Sequence, residues 1–197
     1  MGQITVTPDQ FSFVNFDAGT IRSVLADVAR LVGVPDDVDI ALEVDEHTPF
    51  GATSTTIAGR RIGLWVESGA IEDPRELRAF SPAGAALVLG RLLIRACDRL
   101  DPAFGDPPAD SEIDIARQTA WDVYAVGRFA RLAGVDGGQA RRRYAFRVRH
   151  GFSDGVDAAF DRLWHGTDLT WADVQAAGDM AKRASTVGGA GAPTNKR

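Results

Sequence analysis

At 197 residues, with 45% apolar and 25% charged side chains, the chain has the size and composition of one globular domain. A chain of this length buries enough surface to fold without disulfides or a metal, and its single cysteine, Cys97, excludes an internal disulfide. The net charge of −5 disfavours a nucleic-acid-binding protein. No stretch approaches the roughly 18 to 20 apolar residues of a membrane span, and the N-terminus lacks a secretion-signal pattern, so we expect a cytoplasmic protein with no membrane contact.

The first third of the chain alternates in the manner of strands. Residues 3–7 form a short strand candidate, which the aromatic run 11–16 could extend. A helix follows, with Asp17 as its N-cap and Gly33 as its end. The segment VDIALEV then alternates apolar and polar residues, which predicts a half-buried strand with an acidic outer face. Residues 52–67 predict a hairpin, and Trp65 lies on the face opposite its apolar residues, where a second layer would cover it.

The remainder of the chain shows helical periodicity. We expect a short helix at 73–79 and a long apolar one at 82–100, capped by Ser81. Three prolines and a glycine mark residues 101–110 as an internal boundary. Beyond it, helices are expected to start at the following residues: Ser111 with Asp114 as a capping box, Ser153, and Thr170 with Asp173.

This order predicts an α+β fold: a small, three- or four-stranded, mostly antiparallel sheet with a packed helix, followed by a helical C-terminal half. The expected organisation is a sheet-containing half at 1–101, a helical half packed on it at 111–184, and a flexible tail at 185–197. The two halves differ in charge, because residues 1–110 carry a net −8 and residues 111–197 a net +3.

The stretch QARRRYAFRVRHGF at 139–152 places five arginines within nine positions of an acidic chain. Its periodicity fits a strand or a helix, and the helical punctuation around it favours a helix. In a helix, Tyr144 and Val148 would share a stripe that looks buried. The arginines suit either an anion or partner site or an exposed face whose heads meet nearby acids. The candidate site residues are Arg142, Arg143, Arg147, Arg149 and His150.

Catalytic patterns are missing from the sequence. Its three histidines show no metal-ligand spacing, and there is no phosphate-binding glycine loop and no nucleophile elbow. The nearest polar cluster is Asp45, Glu46 and His47 at the end of the acidic strand, where an unorthodox enzyme site would have to form. We therefore predict no catalytic residue, no metal site and no cofactor.

The order of elements over residues 18–100, namely helix, strand, hairpin and long apolar helix, is similar to the core of the zincin metallopeptidases. In that family the long helix carries HExxH, whose two histidines hold zinc. Here the polar pair four residues apart is Arg91 and Arg95. The resemblance implies a metal-free zincin-like domain with a role other than proteolysis.

The leading hypothesis is a non-catalytic binding module for a protein partner or for a second copy of the chain. Large aromatic residues suit interfaces or a core, and the chain has five to weigh: Trp65, Trp121, Tyr124, Trp164 and Trp171. The alternative is a module that binds a phosphate-bearing ligand or nucleic acid through Arg141–Arg149. The dominance of arginine over lysine, with abundant Ala, Gly and Val, is typical of a GC-rich bacterium.

Overall fold

A four-stranded sheet forms the N-terminal half of the computed structural model, which describes residues 2–188 and the side chains of residues 2–179. Its spatial order is β1-β2-β4-β3. The strands are β1 (Ile4–Thr7), β2 (Asp39–Asp45), β3 (Thr53–Ala58) and β4 (Arg61–Glu67).

The sheet is mixed, so the expectation of a mostly antiparallel sheet was wrong. Strand β2 runs parallel to both β1 and β4, and β3 alone runs antiparallel, against β4. Helix α1 (Ala18–Val32) connects β1 to β2, and such a crossover returns the chain in the same direction. The expected hairpin is confirmed, but it docks on β2 through its second strand, which places β3 at the border of the sheet.

Two helices cover one face of this sheet. Alternate apolar residues of the strands face α1 and α2 (Pro82–Leu100) and form one core with them. The expected caps are confirmed: Asp17 accepts the amide of Thr20, and Ser81 accepts the amide of Gly84. Gly33 ends α1 with a φ of 81°, a left-handed conformation that costs glycine little.

Residues 73–79 form part of a hairpin, so the expected short helix was wrong. Strands β5 (Glu72–Asp73) and β6 (Glu76–Phe80) pair antiparallel in a separate two-stranded sheet. The Asp73 carboxylate accepts the amide of Arg75, and this local hydrogen bond favours a turn over a helix start. The aromatic run 11–16 joins this hairpin through one bridge, Asn15 to Ala79, rather than extending the main sheet.

Four helices build the C-terminal half: α3 (Ile115–Ala133), α4 (Gln139–His150), α5 (Asp154–His165) and α6 (Trp171–Gly188). Asp114 rather than Ser111 caps α3, because its carboxylate accepts two amides of the first turn. Thr170 and Asp173 form the expected reciprocal cap of α6. Four of the large aromatic side chains weighed for an interface are buried in this half: Trp121, Tyr124, Trp164 and Trp171.

Helix α3 joins the two halves. Among the described residues, Ala125 and Phe129 belong to the core under the sheet, while neighbours on the same helix belong to the core of the helical half. Helix α6 continues to Gly188, and residues 189–197 of the expected tail lie outside the described residues. Within the described part of the chain, every helix is too short or too polar to cross a membrane.

Candidate functional site

The arginine-rich stretch is a helix, α4, and two of its arginines hold it to α5. Arg147 donates from Nε and Nη2 to the two carboxylate oxygens of Asp157, at 2.7 and 2.6 Å. Arg143 pairs with Asp161, and its guanidinium carbon lies 4.6 Å from the ring centroid of Phe160. These bidentate pairs already supply the oxygens that an anionic ligand would bring.

The other candidate residues of α4 point elsewhere. Arg142 donates from Nε to the carbonyl of Gly137, and burial together with the nearby charge of Arg91 lowers its pKa. His150 is only 2% exposed and contacts Phe146 with the two rings tilted and their centroids 4.2 Å apart. Arg149 is exposed to solvent. The five candidates therefore do not converge on one pocket, and their role in anion binding stays a prediction.

The outer face of α4 carries the feature that the sequence reasoning missed. Tyr144 and Val148 are each 62% exposed and Phe152 is 67% exposed, although Tyr144 and Val148 were expected to be buried. The rings of Tyr144 and Phe152 meet edge to face, with centroids 6.1 Å apart. Phe146 occupies the core side, and residues two positions away on a helix lie about 200° round from it. We call Tyr144, Val148, Phe152, Arg141 and Arg149 the α4 patch.

A second cluster of charges joins α2 to α3 and to the loop before it. Arg95 is 1% exposed and donates to Asp122 at 2.8 Å and to Asp110 at 2.5 Å. Arg91 also binds Asp122, at 2.7 Å, and Arg99 also binds Asp110, at 2.6 Å. Each carboxylate is thus shared by two arginines, and we call these five residues the arginine ridge.

Two arginines of the arginine ridge pack against the ring of Trp121. The guanidinium carbons of Arg95 and Arg99 lie 4.4 and 4.5 Å from its ring centroid, as in cation–π contacts. Its indole N–H donates to Asp98 at 2.9 Å. Burial raises the pKa of Asp98, although Arg128 and Trp121 oppose the shift. Each of these side chains makes at least one hydrogen bond within the protein, although Nε of Arg95 and Nη1 of Arg99 are buried without a hydrogen-bond partner among the described residues. Shared hydrogen bonds of this kind form a structural network.

Glu46 and His47 make different contacts. Glu46 is buried and accepts the amides of Ser12 and Phe13 at 2.7 and 2.6 Å, so it fixes the loop that follows β1. His47 is exposed, and its Nδ1 lies 3.5 Å from Asp45. Although they are adjacent in sequence, the two side chains therefore differ in burial and in their partners.

Other chemically active groups are also committed or buried. Ser153 accepts the amide of Val156 and caps α5 as expected. Burial raises the pKa of the Cys97 thiol to about 11, which keeps it protonated near neutral pH. Across residues 2–179, no three His, Cys, Asp or Glu side chains are grouped so that they could hold a metal ion.

Comparison with known proteins gives this chain no relative: no family model, no curated protein and no solved structure matches it. The element order behind the zincin resemblance is present in α1, β2, the β3–β4 hairpin and α2. Arg91 and Arg95 are joined to Asp122 at the corresponding place on α2. The resemblance therefore rests on the order of elements alone.

Proposed function

We propose that this protein is a non-catalytic binding module whose α4 patch docks a segment of a partner protein. The carrying observation is that Tyr144 and Val148 of α4 are exposed together with Phe152, which follows the helix, while α4 is firmly held from its other side. Aromatic and arginine side chains are the types enriched in protein interfaces. The single free cysteine is compatible with a reducing compartment, where we expect the module to act.

The charges on α4 define the partner. Arg143 and Arg147 are neutralised by α5, whereas Arg141 and Arg149 are exposed and make no ion pair within residues 2–179. Two unpaired cations beside an apolar surface complement a segment that carries large apolar side chains between carboxylates. The same cations disfavour docking of α4 against α4 of a second copy, because like charges would approach each other.

A random peptide library displayed on phage tests this proposal and reveals the sequence pattern of the partner segment in the same experiment. We expect selection on the full chain to enrich peptides that combine Asp or Glu with large apolar residues. Tyr144→Ser or Phe152→Ser should weaken an enriched peptide by about 30-fold, since central interface residues contribute about 2 kcal/mol. Arg149→Glu should also weaken the binding of an enriched peptide, and this loss should be larger at low salt than at high salt.

Matched controls lie on other surfaces of the chain. Ile115 is exposed on α3, and Arg22 is exposed on α1, so Ile115→Ser and Arg22→Glu change the same chemistry elsewhere. Both variants should bind as the wild type does. Failure to enrich any peptide, or equal binding by the patch variants, would contradict the proposal. If the wild type self-associates as its concentration rises and the patch variants do not, the α4 patch binds a second copy of the chain and not a different protein.

A further inference from the structure

The sheet has one face that no helix within residues 2–188 covers. The side chains of Glu43, Thr56 and Arg61 on this face are exposed, whereas the alternate residues of the same strands are buried under α1 and α2. Three parallel strands normally have both faces covered. The expectation of a second layer over Trp65 was wrong, and a groove of about 430 Å³ runs across the face instead.

The floor of this groove is made of the smallest side chains in the sheet. Ala41 and Gly63 are register partners in its centre, and Thr56 pairs with Gly63 from the other side. A Cβ atom at Gly63 would collide with the hydroxyl of Thr56, so the depth of the groove depends on this glycine. The central depression is therefore a property of the sequence of β4 and not only of strand twist.

The two ends of the groove carry different chemistry. Trp65 lies beside Glu43 in the register of β4 and β2 at one end. Arg61 lies four residues earlier on β4, which is about 13 Å away along a strand. Within the described side chains, Glu43 and Arg61 form no ion pair and Trp65 contacts no other ring. Hydroxyl groups of Thr5, Thr7 and Ser54 line the sides.

We infer that this groove is a binding site for a neutral carbohydrate of one or two sugar rings. A sugar hydroxyl both donates and accepts, and the groove offers an acceptor in Glu43, donors in Arg61, and threonine hydroxyls that do both. The flat indole of Trp65 provides an apolar surface for the C–H face of a ring. The volume lies within the roughly 300 to 1,000 Å³ of small-ligand sites.

The charges favour a neutral ligand over an ionic one. Glu43 would repel an anion, and Asp39, which is the register partner of Arg61, offsets the attraction of that guanidinium. A cation would in turn meet Arg61. A polyhydroxylated neutral molecule satisfies the acceptors and donors of both ends without either repulsion.

Saturation-transfer NMR on the full chain tests this site with a defined panel: maltose, cellobiose, trehalose, mannobiose and di-N-acetylchitobiose, with glucuronate and glucosamine as charged probes. We expect transfer to at least one neutral sugar at millimolar concentration. Glu43→Gln should weaken it by about tenfold, because a hydrogen bond to a charged group becomes a neutral one. Trp65→Ala and Gly63→Val should abolish it.

The variants separate loss of the site from loss of the fold. Gly63→Val fills the floor, and Thr56 can rotate its exposed hydroxyl away, so this variant should melt close to the wild type. Glu76→Gln removes an exposed carboxylate from β6 and should bind as the wild type does. Absence of transfer to every neutral sugar, transfer confined to the charged probes, or unchanged binding by Gly63→Val would overturn the inference. None of these outcomes bears on the α4 patch, which lies in the other half of the chain.

Discussion

Replacing Gly90 with alanine should destabilise the protein, against the usual effect of this change in a helix. Gly90 lies in the interior of α2, where glycine to alanine ordinarily stabilises by about 1 kcal/mol. Here a Cβ atom would lie 2.5 Å from Cγ of Phe129 on α3, and closer still to two other ring carbons. Carbon atoms pack best at roughly 3.5 to 4.0 Å, so the buried ring would have to move by more than about 1 Å.

The size of the effect follows from this overlap. Overpacking a well-filled core costs about 1 to 3 kcal/mol, and a ring carbon next to the backbone cannot rotate away. For an overlap of this size we take the upper end, about 3 kcal/mol, and subtract about 1 kcal/mol for the gain in helix propensity, which leaves an expected net loss of about 2 kcal/mol. For a chain of this size the melting temperature should fall by about 4 to 8 °C.

Gly178→Ala on α6 is the matched control for this prediction. A Cβ atom there would lie 3.7 Å from Cβ of Ala120, which is an ordinary contact. This variant should therefore gain about 0.5 to 1 kcal/mol. Chemical unfolding followed by circular dichroism measures both changes.

A rescue variant isolates the cause. In a Phe129→Leu background, where the ring is gone, Gly90→Ala should cost little or should stabilise. Unfolding midpoints that rise in Gly90→Ala alone, or a loss that persists with Leu at 129, would refute the reasoning about the contact between α2 and α3.

Three further predictions concern the ion pairs. Arg95→Met should cost about 3 kcal/mol in urea unfolding, because buried pairs are strongly destabilised by loss of one partner, whereas Arg30→Met, in an exposed pair, should cost under about 1 kcal/mol; equal losses would contradict a structural role for the ridge. Asp122→Asn should destabilise the protein more than Arg95→Met does, because it removes the negative charge that Arg91 and Arg95 share. The hydrogen bonds from Arg147 lower the pKa of Asp157 below its ordinary 3.8, so its stabilising contribution is complete above that pH and is lost as the pH falls through the lowered value. The protection factors of the α4 amides, which compare the observed exchange rate with the intrinsic rate at the same pH, should therefore fall below pH 3.8 in the wild type, and they should be largely independent of pH in Asp157→Asn.

Strand periodicity and helix caps could be predicted from the sequence because they depend on residues that are close together in the chain. The period-two pattern of β2 and the caps at Asp17 and Ser81 involve residues a few positions apart. Strand direction was a different matter, because a half-buried strand alternates in the same way in parallel and antiparallel sheets. The pairing of β2 with both β1 and β4 decided it.

The site residues show the same division between local and long-range information. Helical spacing correctly put Tyr144 and Val148 on one face of α4, but spacing does not say which face meets the core. The burial of Phe146 and the aspartates of α5 that bind Arg143 and Arg147 determine which face of α4 meets the core. The partners of Arg95 lie 15 and 27 residues away, and a contact at that separation leaves no periodic trace.

The carboxylate of Asp110 has a consequence for solubility as well as for the ridge. Its second oxygen accepts the backbone N–H of Thr55 at 3.0 Å, on the side of β3 where the described residues place no neighbouring strand. An unsatisfied border strand is a template on which other chains can add and form aggregates. At the far border, β1 is only four residues long and is followed at once by Pro8, which cannot donate to another strand. One side chain at each border of the sheet, Asp110 beside β3 and Pro8 after β1, thus disfavours the addition of another strand.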